Sequence, residues 1–140
     1  MKIAMLAVSA TAFLHLKGPD GALLYDGKEK VGIELYGPGS PEFARVEERQ
    51  TARAIKRMQD NDNKVSLAPI EDRRSEATED LAALTADFRH IEHEDADGKP
   101  LAGAALHAAV YSDPGLGWIK EQVTKFVGDW GKFKPGSAGI

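Results

Sequence analysis

Five consecutive residues, Gly37-Pro38-Gly39-Ser40-Pro41, divide this chain into two kinds of sequence. Ahead of them apolar side chains recur at every second position; behind them they recur at every third or fourth. Pro38 followed by Gly39 suits the central positions of a type II turn. Ser40 is a helix-capping residue type, and Pro41 fits the first helical position, where no amide hydrogen is required. The pattern therefore predicts a switch from strand to helix at residue 40, and an α+β fold.

Before that switch, residues 11–17 alternate Ala12, Leu14 and Leu16 against Phe13 and His15. Gly18-Pro19-Asp20-Gly21 is a turn, residues 22–25 continue, and Asp26-Gly27 turns again. Val31, Ile33 and Leu35 then alternate with Gly32, Glu34 and Tyr36. These signals predict a small N-terminal antiparallel β-meander of about three strands, with Leu14, Leu16, Val31, Ile33 and Leu35 on one face. A sheet of that size is marginal alone. Its apolar face needs a cover, so the meander 1–40 is expected to pack on a helical part 41–140 as one single domain.

About four helices are expected in that second part. The first runs from residue 41 to Met58 or Gln59, with Phe43, Val46, Gln50, Ala54 and Met58 on one narrow face and Arg45, Arg49, Arg53, Lys56 and Arg57 on another. Residues 59–71, with Asp60-Asn61-Asp62-Asn63 and Pro69, read as a connector. A second helix over residues 72–88 carries Ala77, Leu81, Leu84 and Phe88 on one face, beside Asp72, Glu76, Glu79, Asp80 and Asp87. The two charged stripes are complementary, which predicts an antiparallel hairpin. A short Ala-rich helix covers residues 101–110. Ser112-Asp113-Pro114 opens the last helix, whose stripe is Leu116, Ile119, Val123, Phe126, Val127 and Trp130, with Trp118 well off it. Residues 134–140, rich in Gly, Ser and Pro, read as a flexible tail.

Composition limits what such a chain can do. Of its 140 residues 20 are Ala, and only 39 are Val, Ile, Leu, Met, Phe, Trp or Tyr, so the core is small. The net charge of −4 arises in residues 41–99, which hold ten basic and fifteen acidic residues. A globally acidic chain is a poor general binder of nucleic acid. The absence of Cys removes disulfides, thiolate metal sites and Cys nucleophiles. No apolar run approaches the ~18–20 residues that span a bilayer, and residues 3–12 are interrupted by Ser9 and Thr11, unlike a secretory signal. No membrane association and a cytoplasmic location are expected.

Motifs of catalysis and ligand binding fail on detail. The glycine-rich turn at 37–40 lacks a Gly-Lys-Ser/Thr, has Glu42 where a dinucleotide fingerprint needs its third glycine, and loses two amide donors to Pro38 and Pro41. His90 and His93, with Glu92, Glu94, Asp95 and Asp97, match no metal-ligand spacing, and Asp60–Asn63 lacks the remainder of a calcium loop. Ser40 is in no nucleophile elbow. No catalytic, cofactor-binding or metal-binding residue is assigned, and a non-enzymatic role is expected. The stripe of Arg45, Arg49 and Arg53 has the charge to contact phosphates, but Glu42, Glu47 and Glu48 on the same helix favour a solvated or ion-paired face. Core packing accounts for Phe126 and Trp130. Trp118, away from the stripe, is the better candidate for an interface.

Two groups of segments carry a resemblance: residues 11–17 (TAFLHLK), 24–27 (LYDG) and 31–40 (VGIELYGPGS), then residues 111–123 (YSDPGLGWIKEQV) and 128–133 (GDWGKF). Together they resemble small proteins encoded in the tail modules of long-tailed, siphovirus-type bacteriophages, most closely those assigned as tail assembly chaperones. About half the chain is covered, at its two ends. The resemblance implies a non-catalytic protein that binds the aggregation-prone tape measure protein and assists assembly of tail tube protein around it, in the host cytoplasm. Self-association into a homo-oligomer is compatible with that role. A virion structural protein, tail- or head-associated, is the alternative, and a nucleic-acid-binding protein using Arg45, Arg49 and Arg53 is the second. The expected mechanism is that apolar surface left after the small core is packed shields an amphipathic partner helix. On the helical pattern, Trp118, Ile119, Val123, Phe126 and Trp130 of the last helix are the expected partner-binding anchors.

Overall fold

The chain changes from strand to helix where Ser40 stands. In the computed structural model, which describes residues 1–64 and 68–136, the Ser40 hydroxyl accepts from the Phe43 N–H at 3.2 Å and donates to the Gly37 carbonyl at 2.7 Å. Residues 65–67 of the expected connector and 137–140 of the expected tail lie outside the described residues. Among the described residues five strands and four α-helices occur in order: β1 (Thr11–His15), β2 (Tyr25–Asp26), β3 (Glu29–Lys30), β4 (Gly32–Tyr36), α1 (Pro41–Asp60), α2 (Ile70–Ala83), β5 (Thr85–Arg89), α3 (Gly103–Ser112) and α4 (Gly117–Val127). The fold is α+β, as the sequence predicts.

The main sheet is not the expected meander. β1 pairs directly with β4, Thr11 opposite Tyr36 through to His15 opposite Gly32, while β2 and β3 form a separate two-residue ribbon. A remnant of the meander survives beside the sheet: Leu16 donates to Val31 O at 3.0 Å, Leu24 to Leu16 O at 3.0 Å and Val31 to Leu24 O at 3.1 Å. The third strand of the main sheet comes from further along the chain. β5 lies against β4 with Arg89 opposite Gly32 and Phe88 opposite Ile33, and a register shift between Glu34 and Leu35.

This corrects the expected helix over residues 72–88, which ends instead at Ala83. Leu84 leaves the helix at φ −90°, ψ 0°, and the Thr85 hydroxyl turns back to donate to Leu81 O at 2.8 Å, taking a carbonyl from the helical ladder. Beyond that point the open edge of β4 offers residues 85–89 backbone partners that a surface helix would leave unpaired.

Ala12, Leu14, Ile33 and Leu35 face the helices, and Ile33 and Leu35 are completely buried. Each helix contributes to the core they start: Val46 from α1, Leu81 from α2, Leu106 and Val110 from α3, and Ile119 and Val123 from α4. Burying each such side chain is worth about 1.5–3 kcal/mol. Phe88 of β5 packs on His107 of α3 with ring centroids 4.5 Å apart. Burial holds His107 below the ordinary imidazole range, against the opposing charge of Asp87. The other face of the sheet is covered by its own residues. The Arg89 guanidinium lies 5.4 Å from the Phe13 ring centroid, and Thr11 donates to Glu34 at 2.8 Å. Gly32 makes room for this: a β-carbon there would lie 2.2 Å from Leu14 O and 2.5 Å from the Phe13 ring.

α1 outruns the core. Of its expected apolar face Val46 is buried and Phe43 half-buried, but Gln50, Ala54 and Met58 are exposed. Charge secures the distal half, in the antiparallel arrangement the stripes predict. Arg53 meets Asp80 at 2.9 Å and Glu79 at 3.1 Å, Arg49 meets Asp80 at 3.3 Å, and Arg57 pairs with Glu76. Burial alone would lower the Arg53 pKa, but the hydrogen bond and charge of Asp80, with Glu79 and Glu76, hold it above its ordinary value.

Candidate partner-binding surface

The last helical segment is in three pieces. Asp113 caps a short 3-10 turn, Pro114–Leu116, by accepting from the Gly115 N–H at 2.9 Å. α4 follows, stops at Val127, and gives way after Gly128-Asp129 to a second 3-10 turn, Trp130–Phe133, capped by Asp129 at 3.0 Å from the Gly131 N–H. The interruption redirects the stripe. Phe133, not Trp130, enters the core: it is wholly buried, stacks edge-on against Phe126 at 5.3 Å, and lies so close to Gly37 that a β-carbon there would be 2.4 Å from its ring. Trp130 is left 58% exposed, which corrects its expected place in the core.

Among the five expected anchors the structure separates three situations. Ile119 and Val123 are 5% and 0% exposed and belong to the core, so neither is a surface anchor in the folded chain. Trp118 and Phe126 are half-buried and packed against that core. Trp118 lines a shallow cleft of about 220 Å³ with Leu16, Leu24 and Leu116. Beside it the Gln122 side chain bonds both ways to the Lys17 backbone, accepting at 2.9 Å and donating at 2.8 Å, and so ties α4 to the end of β1. Trp130 alone is open to a partner.

Trp130 has apolar company that its helix did not announce. Residues Ile3–Leu6 form one 3-10 turn in which Ile3, Met5 and Leu6 are 72%, 74% and 61% exposed. The segment after it is held against the Trp130 turn: Ser9 N–H donates to Phe133 O at 2.8 Å, and the Ser9 hydroxyl to Lys134 O at 3.2 Å. Val8 and Trp130 flank Gly39, where a β-carbon would lie 2.7 Å from Val8 and 3.8 Å from Trp130. The segment that follows the exposed N-terminal turn, residues 8 and 9, thus lies beside the turn that carries the exposed tryptophan. In the sequence residues 3–8 are only a short apolar run, with no pattern that tells exposed from buried.

The other candidates are dispersed. Arg49 and Arg53 are committed to carboxylates of α2, leaving Arg45 and Lys56 as the exposed members of the basic stripe. His90 lies 3.7 Å from Asp26 and His93 lies 3.4 Å from Asp113, so the two imidazoles face different carboxylates. Among the described residues no group of three or more His, Asp or Glu is placed to hold a metal ion, and no helix is long and apolar enough to cross a membrane. Comparison with protein-family models, with curated proteins and with solved structures finds no match to this chain.

Proposed function

We propose that this protein is a tail assembly chaperone-like protein of a long-tailed bacteriophage, a non-catalytic binder that covers an amphipathic helix of the tape measure protein while tail tube protein assembles, in the host cytoplasm. The observation that carries this reading is the exposure of Ile3, Met5 and Leu6 on the N-terminal turn and of Trp130 on the turn that holds Ser9. Single exposed apolar residues are ordinary, but three in one four-residue turn, with a tryptophan on the turn to which the following segment is bonded, favour an interaction surface. Met and Trp suit a helix-accepting surface because one adapts its shape and the other offers a large area with few rotamers to freeze. Covering these side chains gains about 1.5–3 kcal/mol each before the costs of association. The anchors are thus Trp130 and the N-terminal turn, with half-buried Trp118 and Phe126 supporting α4 behind them.

The test is co-expression with the tape measure protein of the same phage. Wild-type chain keeps the tape measure protein soluble and co-purifies with it. A Met5→Ser, Leu6→Ser, Trp130→Ala variant loses capture while its circular dichroism and unfolding midpoint stay as in the wild type. Equal capture by the variant refutes this surface. Stoichiometric presence of the protein in purified virions would replace the chaperone reading with that of a structural component.

A further inference from the structure

On another part of the surface, α2, the end of α3 and the start of α4 border an open cleft of about 460 Å³ lined by Arg74, Ser75, Thr78, Ser112, Gly117 and Lys120, with Tyr111 at its floor. That volume is within the roughly 300–1,000 Å³ of small-molecule sites. Two cations from different helices converge on it. Among the described residues no carboxylate stands within ion-pair distance of Arg74 or Lys120. The one carboxylate in the lining, Asp113, has its oxygens turned to other partners, one accepting from Gly115 N–H at 2.9 Å and the other facing His93 Nε2 at 3.4 Å, and its charge leaves the lining net positive by one. The Ser75 hydroxyl has no described hydrogen-bond partner, and α4 begins at Gly117 with no side chain capping it. The helix start only adds to a field that Arg74 and Lys120 set up.

We propose that this cleft binds a small organic phosphomonoester. Two positive side chains against one carboxylate leave a positive lining that favours a group carrying about −1.5 to −2 at neutral pH, and its three acceptor oxygens exceed what one carboxylate presents. The planar guanidinium of Arg74 takes two of those oxygens and the Lys120 ammonium the third. Pro114 gives the cleft an exposed apolar wall on which a short apolar or ring body rests. None of this depends on the tape measure protein, and it stands or falls separately from that reading.

Amide NMR titration of the intact chain at low salt decides it, with phenyl phosphate, inorganic phosphate and phenol as probes. Phenyl phosphate shifts the Ser75, Gly117 and Lys120 amides saturably, inorganic phosphate shifts the same amides more weakly, and phenol shifts none. Arg74→Gln and Lys120→Gln, both at sites outside the core, each weaken phenyl phosphate by about tenfold or more with the rest of the spectrum unchanged. No saturable shift up to about 10 mM, shifts spread over other basic surfaces, equal shifts with phenol, or undiminished binding in both variants each overturn the proposal.

Discussion

Thr85 joins three elements through one hydroxyl. It donates to Leu81 O at 2.8 Å, and with its only hydrogen spent there, the 2.7 Å contact to Tyr111 must be donated by the phenol. Tyr111 is 2% exposed, and burial pushes its ionisation well above the ordinary tyrosine range. An unfolded Tyr titrates near pH ~10. Above that pH the unfolded chain releases the phenolic proton while the folded chain keeps it, so this contribution to stability is complete below pH ~10 and is lost as pH rises beyond it. Tyr111→Phe should cost about 1 kcal/mol at pH 7, because Thr85 keeps its bond to Leu81. The same variant should lose less stability than the wild type between pH 7 and about pH 10.5, since it has no buried phenol to ionise. Urea midpoints of both proteins at the two pH values measure the difference; parallel losses would mean the phenol does not govern alkaline stability.

At the scale of elements, α1 and α2 depend on one buried carboxylate. Asp80 is 7% exposed and accepts from Arg49, Gln50 and Arg53, whereas the Glu79 side chain, which meets the same two arginines, is 57% exposed. Asp80→Ala should therefore cost about 1–3 kcal/mol, by stranding partly buried donors, while Glu79→Ala should cost under about 1 kcal/mol. In 1 M salt the Glu79 effect should vanish and the Asp80 effect persist, as urea denaturation of the two variants would reveal. This pairing was legible in the sequence because charge stripes on two helices repeat with the helical period. β5 was not legible. Leu81, Leu84 and Phe88 keep helical spacing across Thr85, and only the vacant edge of β4, contributed by residues some fifty positions earlier, decides that 85–89 extend. The Trp130 misplacement has the same form: a stripe extrapolated through Gly128-Asp129 follows a helix that has already ended. The 460 Å³ cleft was equally hidden, since Arg74 and Lys120 are brought together only by the packing of α2 on α4.

Across the whole molecule, the scarcity of bulky side chains leaves one end closed by a single ring. Phe133 fills the space above Gly37, its carbonyl anchors Ser9, and Gly37 N–H in turn bonds Ala10 O at 2.9 Å, so the N-terminal segment, the strand-to-helix turn and the Trp130–Phe133 turn meet there. Trp130, three residues earlier on the same turn, points outward. The two aromatics should therefore separate stability from binding. Phe133→Ala should cost about 3–5 kcal/mol, as expected for a fully buried ring, and should speed hydrogen exchange at the Ser9 and Gly37 amides before global unfolding, because both amides lose the surface they are held against. Trp130→Ala should shift stability by no more than about 0.5 kcal/mol and leave those two amides protected, while weakening capture of the tape measure protein. If Trp130→Ala unprotected Ser9 as strongly as Phe133→Ala does, the tryptophan would be a structural clamp on the N-terminal segment, and the exposed apolar residues would form a fastening instead of a docking surface.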